Sequence, residues 1–171
     1  DIFYGTDYHS HLGTQRGGLV VHNDKGFTRS IHNITNAQFR SKFEDDLPRL
    51  HGTMGLGVIS DFEDQPLVIS ARLGRYAIVT VGKVHNLDDL ATRLLNRNGT
   101  HFIQIRDGEI NPTELVCNLI DGEGTFEAGI AKAQELIDGS CSLLLLDRDG
   151  IVAARDRLGR TPVAVGVKEG A

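Results

Sequence analysis

Two periods of apolar residues run along the chain, one of two and one of about 3.6. Gly18–His22 (GLVVH) and Phe27–Ile34 (FTRSIHNI) read as strands joined by an Asn23-Asp24-Lys25-Gly26 turn. The second alternates in places, which predicts one wet face. Phe39, Phe43, Leu47 and Leu50 then recur at helical spacing, with Asn36 as the expected N-cap and Gly52 as the stop. Arg40, Lys42, Glu44, Asp45 and Asp46 fall on the other side of that helix and predict a solvated face. Leu56–Ser60 reads as a strand, and Pro66–Arg72 with Arg75–Val81 as a hairpin turning at Leu73-Gly74. A helix capped by Asn86 carries Leu87, Leu90, Leu94 and Leu95 towards Gly99, and His101–Ile105 reads as a short strand. Asn111-Pro112 opens a third helix, with proline at its tolerated first position, ending at Gly122. A fourth follows Thr125 with Phe126, Ile130, Leu136 and Ile137, ending at Gly139. Ser142–Leu146, an Asp149-Gly150 turn, Ile151–Arg155 and Thr161–Val167 close the chain as strands.

The closing strands carry the argument about architecture. Leu143–Leu146 is apolar on both faces, and Ile151–Ala154 nearly so. The Asp-Gly turn makes them an antiparallel pair. Such a pair, buried on both sides, needs one layer above it and another below. Helices supply one and a second sheet the other. The expectation is an α+β fold, a four-layer αββα sandwich of two antiparallel sheets, formed by residues 1–171 as one domain. A two-layer α+β fold is the simpler competitor.

Composition narrows the function classes. The 171 residues are 40% hydrophobic and 24% charged, with a net charge of −5, ordinary for a globular protein. No basic stripe marks a nucleic-acid or anionic-membrane partner. No apolar stretch is long enough for a membrane span. Cys117 and Cys141 make no disulfide framework, which favours the cytoplasm. The chain opens on Asp1, as a processed product or a fragment would. Homo-oligomer formation stays open.

Two local signals suggest chemistry. Asp7-Tyr8-His9-Ser10-His11 could set two imidazoles on one side of an extended segment, as metal ligands. The string resembles the opening motif of the polymerase-and-histidinol-phosphatase family of metal-dependent phosphoesterases. Further ligands are not apparent, since His22, His32, His51, His85 and His101 stand apart. Surface or loop histidines are the preferred reading, with no metal and no cofactor. Arg16-Gly17-Gly18, entering a strand, offers a guanidinium for a carboxylate and glycines for close backbone approach.

The third signal is the most specific. Ala153-Ala154-Arg155-Asp156-Arg157-Leu158-Gly159-Arg160-Thr161-Pro162-Val163 resembles the A-R-D-P-L-G-I-R-P-L string of class II glutamine amidotransferases. Further segments follow in the family's order. Leu12–Gly18 resembles L-Q-H-R-G-Q-x-S, Met54–Ser60 resembles M-G-I-G-H-x-R, and Gln65-Pro66 resembles A-Q-P. Ala77–Asn86 resembles A-L-A-H-N-G-N-L-T-N, Thr113-Glu114 the end of D-S-E, and Asp138–Leu143 V-x-G-A-Y-S-L. The resemblance, to the amidophosphoribosyltransferase-like branch, implies an N-terminal nucleophile hydrolase fold. It also implies hydrolysis of glutamine to glutamate and ammonia, with ammonia passed to a phosphoribosyltransferase-type domain in a longer parent, as in purine nucleotide synthesis. In the DRDG–RTPV region it implies that arginines and aspartate pair to fix the turn between strands.

The resemblance also implies a cysteine as first residue, its own α-amine serving as base. Residue 1 is Asp, so the expectation is a missing first strand ahead of it and no catalytic residue within the chain. The family's oxyanion-hole asparagine aligns with Val81, its carboxylate-binding arginine with Ser60, and its amine-holding aspartate with Pro112. Arg16, Gly17 and Gly82 remain as the expected glutamine-binding residues: clamp, close backbone approach and N–H donor. Arg72 or Arg75 could replace the lost arginine. A catalytically degenerate scaffold domain of the same fold is the alternative.

Overall fold

The computed structural model describes residues 1–11, 15–61, 63–96, 101–106 and 108–168. Helix α1 (Ile2–His9) leads into the hairpin β1 (Arg16–Asn23) and β2 (Gly26–Asn33). Helix α2 (Phe39–Phe43) runs on as a 3-10 turn, Glu44–Arg49, and β3 (Met54–Ser60) follows. Next come β4 (Leu67–Ala71), β5 (Gly74–Val84) and α3 (Leu87–Leu95). The short pair β6 (Ile105–Arg106) and β7 (Glu109–Ile110) precedes α4 (Pro112–Asp121) and α5 (Phe126–Leu136). The hairpin β8 (Gly139–Leu146) and β9 (Ile151–Ala154) is the last regular structure among the described residues. No helix among them is long and apolar enough to cross a membrane.

The strands form two antiparallel sheets, β2-β1-β3 and β4-β5-β8-β9, plus the separate β6-β7 pair. Side-chain alternation then dictates three apolar layers. In β5, Tyr76 and Ile78 point to α3, α4 and α5, while Ala77 and Val79 point to the other sheet. In β8, Leu143 and Leu145 join the helix-side core, and Leu144 and Leu146 the inter-sheet core with Val20, Leu56 and Val58. On the far side of β1, Leu19 meets Phe3, Ile34, Phe39 and Phe43 beneath α1 and α2. The order is helix, sheet, sheet, helix: the four-layer sandwich that the two-faced Leu143–Leu146 run demands. Residues 3.6 apart on α4 bury Leu115, Leu119 and neighbours, and Gly129 of α5 abuts the Ile120 backbone so closely that a Cβ there would overlap it.

Several local expectations change. The second helix starts at Phe39 with Gln38, not Asn36, at its N-cap, and tightens to 3-10 geometry through Pro48. That tightening turns Asp46 inward. Its face is therefore not wholly solvated: Asp46 is buried and receives bonds from three side chains. The His32 Nε2–H donates to its Oδ2 (2.6 Å), Arg49 Nη2 donates to its Oδ1 (2.7 Å), and the Ser30 hydroxyl donates to Oδ2. His101–Gln104 is irregular, so only Ile105–Arg106 is strand. Residues 162–168 carry no strand, and Val163, Val165 and Val167 are exposed. The expected helix end at Gly99 lies outside the described residues.

Burial raises the Asp46 carboxyl, but the bonds from Ser30 and His32 and the Arg49 charge outweigh it, and the carboxyl sits below its ordinary value. A depressed folded-state value means stability present above the unfolded value of about 3.9 and lost as pH falls through the folded one. Asp46→Asn should cost about 2 kcal/mol at neutral pH and flatten the acid limb of a urea-midpoint-versus-pH curve. An unchanged acid limb would show that this carboxylate does not hold the 3-10 turn to β2.

Candidate functional site

The site is assembled from the ends of both sheets. Arg16 opens β1, paired in register with Asn33 on one side and Ser60 on the other. Gly17 and Gly18 follow, each closed on a different side. A Cβ on Gly17 would lie 2.8 Å from the Phe39 ring, so this glycine admits the α2 aromatics. A Cβ on Gly18 would overlap the Gln65 carbonyl oxygen and press on Pro66. Gly18, rather than Gly17, brings the Asp64–Pro66 segment onto β1.

That segment ties the first sheet to the second. The β4–β5 ladder ends at Leu67↔Ile78. One step further out, the Gln65 side chain takes the strand's place: Thr80 N–H donates to Oε1 (2.7 Å) and Nε2 donates to Thr80 O (3.1 Å). Gln65 is only 2% exposed. The Thr80 and Thr113 hydroxyls are 2.6 Å apart, and Asn111 Nδ2 donates to Asp64 O (3.3 Å). Asn111 also caps α4 through Thr113 N–H (2.9 Å), which sets Pro112 at the helix start. Arg16, Ser60, Asp64, Gln65, Thr80 and Thr113 thus form one contiguous run of contacts, with Val81, Gly82 and Pro112 adjoining it in sequence.

Gly82 has φ +149°, and a Cβ there would overlap the Ser140 carbonyl oxygen across the β5–β8 ladder. Val81 beside it is 49% exposed, a large apolar side chain at the position the resemblance gives to an asparagine donor. Ser60 donates its hydroxyl to Glu63 O (2.6 Å), which turns the chain after β3. At the entrance to β1, Arg16 Nε lies 3.3 Å from Asp64 Oδ1. Both atoms are buried, and their alignment does not make a hydrogen bond.

The other candidates go elsewhere. Arg72 donates to Asp121 O and Glu123 O at the end of α4, and Arg75 lies by the Gly26 turn. Both sit at the opening of β5, whereas Gly82 lies near its close, so neither replaces the arginine missing at Ser60. Asp7, His9 and His11 are not on an extended segment. Residues 2–9 are helical, and Asp7 is paired with Arg40 at 2.7 Å. Cys117 is buried in α4 and Cys141 in β8; burial pushes both thiols up, Cys141 to about 12. Asp156 fixes the turn after β9, and among the described residues no arginine pairs with it. Its carboxylate accepts from Leu158 N–H and Thr161 N–H (3.3 Å each), and its own N–H donates to Ser142 Oγ (3.0 Å).

Two site-shaping residues, Gln65 of the A-Q-P-like pair and Glu114, lay in family-like strings that gave no sign of their contacts. Gln65 acts through Thr80, fifteen positions away. Glu114, buried on α4, accepts from Ile103 N–H and Gln104 N–H (2.8 Å each) and holds that connection against the helix.

Comparison with known proteins agrees with this geometry. A family model described as glutamine amidotransferase domain matches residues 51–171. The amidophosphoribosyltransferase of Methanocaldococcus jannaschii is 28% identical over 98% of this chain and 36% of its own length. That of Synechocystis sp. is 31% identical over 98% of this chain and 35% of its own. The chain therefore spans about a third of these relatives. Among solved structures, the glutamine phosphoribosylpyrophosphate (PRPP) amidotransferase from B. subtilis, complexed with ADP and GMP, superposes with a TM-score of 0.81 at 22% identity. The superposition covers 98% of this chain and 37% of that one and shows the N-terminal nucleophile hydrolase fold. The family model covers well over half of the chain: it belongs to the glutamine amidotransferase domain family.

Proposed function

We propose that this chain is the glutamine-handling part of a longer amidophosphoribosyltransferase-like protein. It binds glutamine where the two sheets meet and releases ammonia to a synthase domain, a step of purine nucleotide synthesis. Arg16 faces the substrate carboxylate, and the Gly82 backbone lines the pocket beside it. Gly17 serves the pocket indirectly, by seating α2 behind β1. One observation supports the reading above the others. Segments distant in sequence, Arg16, Ser60, Asp64–Gln65, Thr80–Gly82 and Pro112–Thr113, meet at one end of the sandwich. They include the positions that align with the family's glutamine contacts. Cys117 and Cys141, buried with raised pKa values, are unsuited as nucleophiles. The nucleophile belongs to the cysteine the family carries at its mature N-terminus.

Val81 supports a second reading, a scaffold domain that no longer hydrolyses glutamine. A missing oxyanion donor costs roughly 3–4 kcal/mol of barrier, and valine offers no side-chain donor. One assay separates the two. The full-length protein should release ammonia and glutamate from L-glutamine, and alkylation of an N-terminal thiol should stop it. Intact, folded protein that releases neither would establish the scaffold reading.

A further inference from the structure

Three polar groups meet inside the helix-side core, at the opposite end of β5 from Gly82. Tyr76 of β5 is fully buried, its ring edge-on to Phe126 at 5.1 Å. Its hydroxyl reaches α4, against the Cys117 thiol and the Asp121 carboxyl, which stand one helical turn apart. Tyr76 Oη and Asp121 Oδ1 are both enclosed, and neither is aligned in a hydrogen bond with any partner among the described residues. Enclosed polar atoms in an apolar core require a cause, because leaving them unbonded is costly. No cation is bonded to the carboxyl either. Arg72, at the β4–β5 turn, donates instead to the main-chain oxygens of Asp121 (3.1 Å) and Glu123. Asp121 is the last residue of α4 and only partly buried, so a small rotation takes its carboxyl out to water.

We infer that Tyr76 and Asp121 form a proton-operated latch that ties the last turn of α4 to β5. The latch is independent of what the pocket binds. With its proton, Asp121 is a neutral acid that stays beside the phenol and hydrogen-bonds it inside the core. Without it, one phenol donor is too little compensation for a charge held away from water. The carboxylate then turns outward, to water and to the field of Arg72. The groups that face Asp121 fix the sign. Burial raises its carboxyl, and the Arg72 charge and the Tyr76 hydroxyl only partly offset that. Burial is also the main reason that Tyr76 and Cys117 are raised, so both stay neutral while Asp121 titrates. Glu114 acts on Cys117 from one turn earlier, but its carboxylate is held by the Ile103 and Gln104 N–H groups. A raised folded-state value means stability present below the unfolded value of about 3.9 and lost as pH rises through the folded one. The sense is opposite to that of Asp46.

The test is native-state hydrogen exchange of the amides in the last turn of α4, measured against pH on the full-length protein. Carbon NMR follows the Asp121 carboxyl in the same sample. The wild-type carboxyl should titrate above about 3.9, and protection, corrected for intrinsic exchange, should fall by roughly tenfold in total for each unit of that rise. Asp121→Asn, neutral at every pH, should keep the high protection throughout. Tyr76→Phe, which removes the bonding partner, should show the low protection throughout. An Asp121 signal that titrates with the exposed aspartates would overturn the inference. So would a raised titration that protection does not follow. A Tyr76→Phe protein, folded by its thermal midpoint, that keeps the wild-type response to pH would exclude Tyr76 from the latch and overturn it as well.

Discussion

Gly18→Ala should unfold the domain or come close to it, with a loss of at least about 3 kcal/mol. The added methyl would overlap the Gln65 carbonyl oxygen, with the Gln65 carbonyl carbon and the Pro66 ring immediately behind it. These are backbone and ring atoms, which cannot swing aside as a flexible side chain can. β1 cannot retreat either, because it is the central strand of its sheet, paired with β2 and β3. A loss of that size is a large fraction of the 5–15 kcal/mol that usually holds a domain together. Gly5→Ala is the internal control. Gly5 lies within α1 with nothing inside 4 Å of its Cβ position, so alanine there should gain up to about 1 kcal/mol. Urea unfolding of the two variants beside wild type reads both signs. A Gly18→Ala protein with the wild-type midpoint would mean that Asp64–Pro66 does not rest on β1.

The second large effect is expected at Gln65. Gln65→Leu keeps the approximate volume but strands the Thr80 N–H and C=O, both of which bond to the glutamine side chain. Two unpaired backbone groups should cost about 2–5 kcal/mol. The variant should also loosen the Asp64–Pro66 segment beside Arg16 and so, on the proposed function, weaken glutamine binding beyond what stability alone explains. Denaturant unfolding and calorimetry on the same sample separate the two. A stable Gln65→Leu domain would show that water or a shifted backbone can replace the amide at Thr80.

Much of the architecture was legible because few arrangements bury Leu143–Leu146 on both faces. The tight Asp149-Gly150 turn between β8 and β9 settles their direction. Asp46 was not legible. Helical spacing sets it outward, and only the change to 3-10 pitch turns it towards Ser30 and His32. Thr161–Val167 has strand-like residues, but β propensity depends on a neighbour to pair with, and in the structure none of the described strands pairs with it. The site was legible as an order of motifs, and the structure brings the segments of Arg16 and Thr80–Gly82 to one end of the sandwich. The roles of Asp64 and Gln65 arise from contacts between segments with no shared local pattern. Ser60, Val81 and Pro112 read in sequence as losses, and the contact between Arg16 and Asp64 emerges only when the segments are folded together.

The alternation along β8 has a consequence for how such a domain can change its length. Leu143 and Leu145 serve one core while Leu144 and Leu146 serve the other. One inserted or deleted residue would swap their allegiance. Because all four are leucines, the swapped strand would still be greasy on both sides, but its ladder with β5 would slide and carry Gly82 away from Ser140. Such a change would spare the oil and spoil the alignment, so indels compatible with the fold belong in connections such as 147–150, clear of the paired strands.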